Sequence, residues 1–354
     1  MDFSRLHEKY GGFRRPTFAL TVDGVRLDSG PGVSIETLEC RLTARRQAGS
    51  LCLAADLIPG SALGGTWLAA VQPGAVCSLA LGYQEIHETV FSGFVYDVAW
   101  GDPLDAGVER LELVCLDVRG QLMLSACPDA GAARSLSQLA RAILNQPACT
   151  RMASDVRLGR IPEDWDLPFQ RAGATDFAVL CAAADFLCLE FYAFGGTVYF
   201  GPARPSSETA VAFSGPNGLL ELRRRRSLSG QCAAAAVSGA DNRGERLYAR
   251  AERSPDRGFG SARMGAALVR DLHQAEPALR TMAQANHLAQ VRMEARQRRG
   301  GGLAGRGTGL PELRPGRFVE VSGLSEPVNG TYYVQSVTHT IDETGFETAF
   351  EAEE

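Results

Sequence analysis

From Pro16 to Leu122, apolar and polar residues alternate along the chain, and this period of two limits the possible folds more than any other property of the sequence. The alternation is clear at 34–42, 77–81 and 91–98. A period of two gives each strand one buried and one wetted face. The turn signals between these runs are Asp23-Gly24, Gly30-Pro31-Gly32, Pro59-Gly60, Pro73-Gly74 and Asp102-Pro103. This spacing predicts a small antiparallel barrel or sandwich.

The middle of the chain has a different pattern, which begins with the Pro- and Gly-containing stretch 127–131. Ser135 to Gln138 is a capping-box pattern and predicts the start of a helix. A second helix is predicted from Thr175-Asp176, followed by a hairpin whose turn is Gly195-Gly196. The middle region is therefore predicted to be a small α+β unit.

Strand patterns return after Pro205 and are interrupted by one long helical stretch. The predicted strands are 219–228, 233–237, 246–252, 317–321, 331–341 and 346–351. The helix is predicted at 277–298, and the Gly-rich stretch 300–309 is predicted to be a flexible connector. We therefore expect a mainly β chain with an α+β part, in which two antiparallel β-barrel domains flank the small α+β domain. The expected domains are 1–125, 126–205 and 206–354, the last with a helical insertion at 265–299.

The last strands repeat the pattern of the first block. Residues 73–79 resemble 315–321, because both begin with Pro-Gly. Residues 93–98 resemble 330–337 with one or two residues of slip, and 110–114 resemble 346–350. Pro and Gly supply turn geometry in many unrelated β proteins, so the pattern by itself leaves the repeat open. If it is real, one chain carries two related barrels, and three chains provide six similar units.

Composition excludes several classes of protein. Lys plus Arg number 36 against 41 Asp plus Glu, which gives a net charge of −5, whereas a nucleic-acid-binding domain is usually strongly basic. No apolar run reaches the length of about 20 residues that a membrane span needs. The N-terminus has no secretory signal, so synthesis in the cytoplasm is expected. The nine cysteines have no C-x2-C pair and are expected to be reduced and mostly buried, and the five histidines are scattered, so no metal site is predicted.

No catalytic motif is present. The sequence lacks G-x-S-x-G, the phosphate-binding loop motif and H-E-x-x-H. His339 with Cys115 is a weak candidate pair, and a structural hydrogen bond or a subunit contact is the stronger interpretation of His339. The acidic pairs Glu163-Asp164 and Glu353-Glu354 are typical of solvated surfaces. We expect no enzymatic activity and no cofactor.

Arg223, Arg224, Arg225 and Arg226 form a run of four cations on a predicted strand. Alternation directs Arg223 and Arg225 to one face and Arg224 and Arg226 to the other. No aromatic residues are interleaved for base stacking, so salt bridges at a subunit joint or a charged channel wall are favoured over nucleic-acid binding.

Several motifs, taken in order, resemble one family. They are Tyr10-x-x-Phe13-x-x-Pro16, Phe91-x-Gly93-x-Val95, Asp176-Phe177-x-x-Leu180, Gly196-x-x-Tyr199-Phe200-Gly201, Leu313-x-Pro315-Gly316-x-x-Val319-x-Val321 and Asn329-Gly330-x-Tyr332-x-Val334-x-x-Val337-x-His339. Together they resemble the bacteriophage late control protein D family of baseplate hub proteins, which is related to the hub part of VgrG spike proteins. The similarity extends over nearly the whole chain, and its C-terminal part is the most specific.

The resemblance implies a structural role in a contractile tail or a phage-tail-like injection particle. It implies a homotrimeric, pseudo-hexameric ring that joins the hexameric inner tube to the central spike. The chain stops where VgrG proteins continue into a needle, so the spike is expected to be a separate protein. Tape-measure and baseplate wedge proteins are further expected partners. The expected location is the tail baseplate of a phage or an extracellular phage-tail-like particle.

The candidate residues under this interpretation are structural. Gly93 and Gly330 are expected to let strands bend where a barrel closes. Tyr332, Val334 and Val337 are expected to fill the second barrel. Arg317 joins the Arg223–Arg226 run as a candidate for a subunit joint.

Two alternatives remain open from the sequence alone. One is a peptidoglycan-binding or peptidoglycan-degrading tail protein, for which Trp165, Tyr192 and Tyr199 are the candidate aromatics of a glycan groove. The other is a spike relative secreted by a type VI system.

Overall fold

The computed structural model describes residues 1–27, 29–101, 107–126, 133–161, 165, 174–254 and 270–354. Within these ranges the helices are α1 Phe3–Lys9, α2 Ala62–Ala70, α3 Val118–Leu124, α4 Leu136–Leu144, α5 Pro147–Thr150, α6 Asp176–Leu187 and α7 Met282–Arg298. The strands of the first half are β1 Pro16–Val22, β2 Val25–Leu27, β3 Val33–Thr43, β4 Ser50–Leu57, β5 Val76–Tyr83, β6 Ile86–Gly101, β7 Glu109–Asp117, β8 Asp155–Leu158, β9 Leu189–Phe194 and β10 Thr197–Pro202. Those of the second half are β11 Thr209–Ser214, β12 Leu219–Arg226, β13 Ala234–Ala240, β14 Arg246–Glu252, β15 Leu272–Ala275, β16 Gly301–Thr308, β17 Phe318–Ser322, β18 Gly330–Asp342 and β19 Gly345–Glu353.

One large sheet joins the two ends of the chain. Its strand order is β12-β16-β19-β18-β3-β4-β7-β6-β5-β1-β2, with β17 beside the start of β18 and β11 beside β17. The prediction of a mainly β chain is confirmed. The pairing among the described residues closes neither half into a barrel, because β18 pairs with β3 and so merges the two halves. Two barrel domains therefore stay a prediction.

The repeat is larger than the sequence pattern indicated. The first copy has the order β3-β4-β7-β6-β5 and the second has β12-β16-β19-β18-β17, and every neighbouring pair in both copies is antiparallel. The sequence revealed only the last three strands of each copy. An insertion containing β13, β14, β15 and α7 separates β12 from β16, so the first two strands of the second copy are far apart in sequence.

Irregularities at matching places support this equivalence. The β6–β7 ladder is interrupted after Val95, and the β18–β19 ladder is interrupted after Val334. The Pro-Gly turns match as well, because the amide of Gly74 donates to the carbonyl of Val95 and the amide of Gly316 donates to that of Val334. The β3–β4 and β12–β16 ladders also shift at corresponding positions. A bulge is a specific local device, so its recurrence indicates a true structural repeat.

The middle region contains a small sheet surrounded by helices, and its extent as a separate α+β domain at 126–205 stays a prediction. Strands β8, β10 and β9 form a three-stranded sheet, and α3 to α6 pack around it in a second core. The side chains of Ser135 and Thr175 cap the N-termini of α4 and α6, as their positions predict. A further sheet, β14-β13-β15, packs against α7.

Two predictions about the C-terminal region are wrong in part. Gly301–Thr308 is a strand between β12 and β19, not a connector. Its glycines allow close packing, because a Cβ at Gly305 would overlap the Phe350 ring and one at Gly307 would overlap a backbone carbonyl. In the predicted helical insertion 265–299, residues 265–269 lie outside the described ranges, 272–275 is strand β15, and the helix begins only at Met282.

The eight cysteines in the described part of the chain are free thiols. Most are buried, as predicted, but Cys52 is exposed because alternate residues of β4 face outward. No described helix is long and apolar enough to cross a membrane.

Candidate assembly site

The joint between the two copies of the repeat is the pairing of β3 with β18. It is antiparallel and runs from Thr43 opposite Ser336 to Thr37 opposite Asp342. At its centre His339 lies opposite Cys40, and both are fully buried. The joint is thus a continuous hydrogen-bonded ladder whose inner face is buried. This ladder fixes the position of one copy relative to the other.

His339 contacts a neighbouring strand in this joint, and its structural role stays a prediction. Its Nδ1 lies 2.9 Å from the hydroxyl of Thr348 on β19. This distance is that of a hydrogen bond, which is one interpretation of His339 from the sequence. Burial lowers the pKa of His339 to about 3, so the ring is neutral near pH 7. Cys115, the other member of the weak catalytic pair, has its side chain beside Cys77 instead.

The arginine run lies on β12 and alternates as predicted. Arg224 and Arg226 both form ion pairs with Glu354, and the Arg224 guanidinium lies 5.8 Å from the centre of the Tyr332 ring. Arg223 and Arg225 are exposed on the other face. Two members of the run therefore have partners within the chain, and two face outward on a strand that, among the described residues, pairs only with β16.

Tyr332, Val334 and Val337 are buried in the main core, and each is no more than 1% exposed. Gly93 lies opposite Asp117, where a Cβ would overlap the backbone of Leu116. Gly330 is the first residue of β18 and lies opposite Val321. The two glycines are not equivalent in the repeat, because Val95 matches Val334 and Gly93 therefore matches Tyr332. The roles of these residues in barrel closure stay predictions.

Arg317 lies beside the Pro-Gly turn of the second copy and has a partner within the chain. Its Nε is 2.9 Å from Glu208, and its side chain is 16% exposed. The turn itself presses on the α+β unit, because a Cβ at Gly316 would overlap the Tyr192 ring. Tyr192 is held in place by the Tyr199 ring, whose centre is 5.2 Å away.

Gly316 and Gly74 provide a matched test of this contact. Both occupy the left-handed region, with φ of 83° and 91°, so Gly→Ala at either site is expected to cost about 1–2 kcal/mol of stability. A Cβ at Gly74 meets nothing within 4 Å, whereas one at Gly316 must displace Tyr192. We expect Gly316→Ala to cost about 1–3 kcal/mol more than Gly74→Ala in urea unfolding. Equal losses would mean that the tyrosine moves freely and that the turn does not press on the α+β unit.

Two buried polar clusters link the α+β unit to the large sheet, and neither was predicted from the sequence. Arg119 is fully buried on α3, forms an ion pair with Asp117 at 2.7 Å, and donates to the carbonyl of Phe191 on β9. Glu190, also on β9, accepts a 2.6 Å hydrogen bond from the hydroxyl of Tyr333 on β18. Asp117 is two positions from Arg119, but Phe191 is 72 positions from Arg119 and Tyr333 is 143 from Glu190, so no local spacing pointed to the links between the unit and the sheet.

The Glu190 carboxyl is in a poorly solvated place. Burial raises the pKa of Glu190 to about 7, although the hydrogen bonds from Tyr333 and from the Arg204 amide act in the opposite direction. The Arg204 guanidinium lies over the Tyr333 ring at 5.3 Å. This cluster holds the α+β unit against the second copy of the repeat.

The residues proposed for a glycan groove are buried. Trp165 is 2% exposed, and Tyr192 and Tyr199 are each 7% exposed. Glu354 is occupied by arginines, and Glu163-Asp164 lies outside the described ranges. A glycan groove needs accessible aromatic faces, so the buried rings argue against one. Among the described residues, no three His, Cys, Asp or Glu side chains lie together as a metal-binding group would require.

The whole chain is similar to solved tail proteins. The tail protein from Neisseria meningitidis MC58 is 14% identical with a TM-score of 0.69, over 96% of this chain and 97% of that one. The 43 kDa tail protein of prophage MuSo2 from Shewanella oneidensis is 14% identical with a TM-score of 0.67, over 95% and 98%. A type VI secretion component from Escherichia coli, described as similar to the T4 tail proteins gp27 and gp5, is 13% identical with a TM-score of 0.56, over 94% and 76%. No curated protein sequence matches the chain.

The fold is therefore that of these phage tail proteins and of the type VI secretion component. Residues 204–345 match the family model described as phage tail baseplate hub (GPD). This match confirms the resemblance to the baseplate hub family that the motifs predicted.

Proposed function

We propose that the chain is the structural hub of a contractile tail baseplate, in a phage or in a phage-tail-like particle. Three copies form a pseudo-hexameric ring that joins the hexameric inner tube to the central spike. The observation that carries this proposal is the five-stranded repeat, because two similar units in each of three chains present six similar units to a six-fold partner. The role is structural, without catalysis, and its place is the assembled baseplate.

The similar proteins support this role. The family model is that of a baseplate hub, and the similar Escherichia coli protein is described as a component of the type VI secretion system. The joint between β3 and β18 gives the two units a fixed relation, which a rigid adaptor needs. Tape-measure and wedge proteins would contact the same ring.

Light scattering and electron microscopy of the purified protein test the proposal. We expect a species of about three times the 37.9 kDa chain mass, alone or with its spike, and rings with six similar lobes in class averages. A chain that stays monomeric even with its spike contradicts the proposal. Sedimentation with purified cell-wall sacculi is expected to show no binding, and clear binding would favour the peptidoglycan alternative.

A further inference from the structure

Two strand edges in the large sheet have no partner among the described residues. Residues 97–101 of β6 pair with β7 on one side only, because β5 ends opposite Phe94. Strand β12 pairs only with β16 and so ends the sheet. Unpaired edges expose backbone donors and acceptors, and such edges readily pair with a strand of another chain.

The repeat makes these two edges the counterparts of the joint already formed within the chain. β6 corresponds to β18, and β12 corresponds to β3, since each pair occupies the same place in its copy. The free edge of β6 is the one through which β18 contacts β3. The free edge of β12 is the one through which β3 contacts β18. The chain therefore carries one complete joint and both halves of a second one.

We propose that β12 of one copy of this chain pairs antiparallel with residues 97–101 of β6 in a second copy. The register follows from the internal joint, in which His339 lies opposite Cys40 and Thr338 opposite Arg41. Transferred through the repeat, it places Trp100 opposite Arg224. It also places Ala99 opposite Arg225 and Val98 opposite Arg226.

The side chains at the two edges complement each other. Trp100 is 50% exposed and Tyr96 is 49% exposed, although most large apolar side chains of this sheet are buried. The pairing brings Trp100 beside Arg224, where a guanidinium stacks favourably on an indole. On the opposite face Asp97 lies diagonally across from Arg225, within reach of a cross-strand ion pair. In the internal joint the counterparts of Trp100 and Arg224 are His339 and Cys40, which are fully buried.

The two edges differ from each other, so the contact is head to tail. A head-to-tail contact repeats from chain to chain, and it closes into a ring when the rotation per chain divides a full turn. This inference rests on the proposed hub function and deepens it by naming the joint between subunits. It also gives the Arg223–Arg226 run a role that its contacts within the chain leave open.

Photo-crosslinking locates the joint directly. p-Benzoylphenylalanine replaces Trp100 in the full-length chain, and equal amounts of unlabelled and ¹⁵N-labelled protein are mixed at high concentration before irradiation. We expect cross-links between labelled and unlabelled copies that map to residues 222–226 by mass spectrometry. The control carries the same residue in place of Tyr248, which is 42% exposed on β14, and is expected to give no cross-link to 222–226.

A charge substitution provides a second measurement. Trp100→Arg places a cation against Arg224 and Arg226 and is expected to raise the concentration for half-assembly at least tenfold, as measured by light scattering. Tyr248→Arg is expected to leave it unchanged. Cross-links that form between copies but map only outside 222–226 overturn this joint and leave a three-chain ring standing. If the purified chain stays monomeric at its highest soluble concentration, the proposed joint is also wrong. The hub function is contradicted only if the chain stays monomeric in the presence of its spike as well.

Discussion

Arg119→Met is expected to cost about 3–5 kcal/mol of unfolding free energy, because it removes the cation from a buried ion pair and leaves the anion in place. Arg119 is fully buried, and Asp117 is 2% exposed in its side chain. Methionine keeps the length and much of the volume of the arginine stem, so cavity formation adds little. The measurement is urea unfolding followed by tryptophan fluorescence at pH 7.

The size of this effect follows from the number of groups that depend on one guanidinium. Arg119 Nη1 donates to the backbone carbonyls of Thr43, Arg45 and Phe191 at 2.9–3.2 Å. These carbonyls belong to the end of β3, the residues after it, and β9. Losing the donor removes one hydrogen bond from each of these three carbonyls, although the Arg45 carbonyl keeps the Gln47 amide as a donor. These losses add to the cost of the unpaired carboxylate.

Arg157→Met is the matched control for Arg119→Met. Arg157 also pairs with the aspartate two positions before it, at 2.6 Å from Asp155, but the two side chains are 60% and 44% exposed. An exposed pair contributes about 0–1 kcal/mol, so the control is expected to lose less than 1 kcal/mol. Similar losses in the two variants would contradict the argument, because they would show that burial of the pair does not determine its contribution.

The sequence predicted the parts of this fold that depend on local chemistry. The alternation in the first block, the caps at Ser135 and Thr175, and the hairpin around Gly195-Gly196 each depend on neighbouring residues, and the structure has them all. Strand β16 was missed, because glycines at alternate positions give no apolar period. They are required instead by Phe350 and Gly218, which are remote in sequence.

In the candidate site too, only the features that depend on neighbouring residues could be predicted from the sequence. The motifs indicated the family and the repeat, and the predicted alternation of the arginine run is present in β12. The joint between β3 and β18 was not predictable, because it connects residues about 300 positions apart and has no local signal. Arg119 and Glu190 were missed for the same reason. A charged residue has many possible partners along the chain, and only the tertiary structure selects among them.

Glu190→Gln is expected to make the free energy of unfolding less sensitive to pH between about 4.5 and 7. The pKa of Glu190 is raised from 4.5 to about 7, so the folded chain holds a proton that the unfolded chain has lost in this range. The group's contribution to stability is therefore fully present below pH 4.5 and is lost as pH rises through 7. A shift of this size corresponds to about 3 kcal/mol. Glutamine keeps an acceptor for the Tyr333 hydroxyl and carries no charge. The stability of the variant relative to the unmodified chain is therefore expected to increase as pH rises.

The free energies of unfolding of the variant and the unmodified chain must be subtracted at each pH. The reason is that His339 changes stability with pH in the opposite direction to Glu190. The pKa of His339 is lowered to about 3, so stability from that group is lost as pH falls below its ordinary value of 6.5. Both proteins contain His339, and its contribution cancels in the difference. Glu320→Gln is the control, because it removes a carboxylate at an exposed position of β17 rather than a buried one. A pH-independent difference for Glu190→Gln would mean that Arg204 and Arg298 compensate the buried charge, and that the carboxylate is ionised across the whole range.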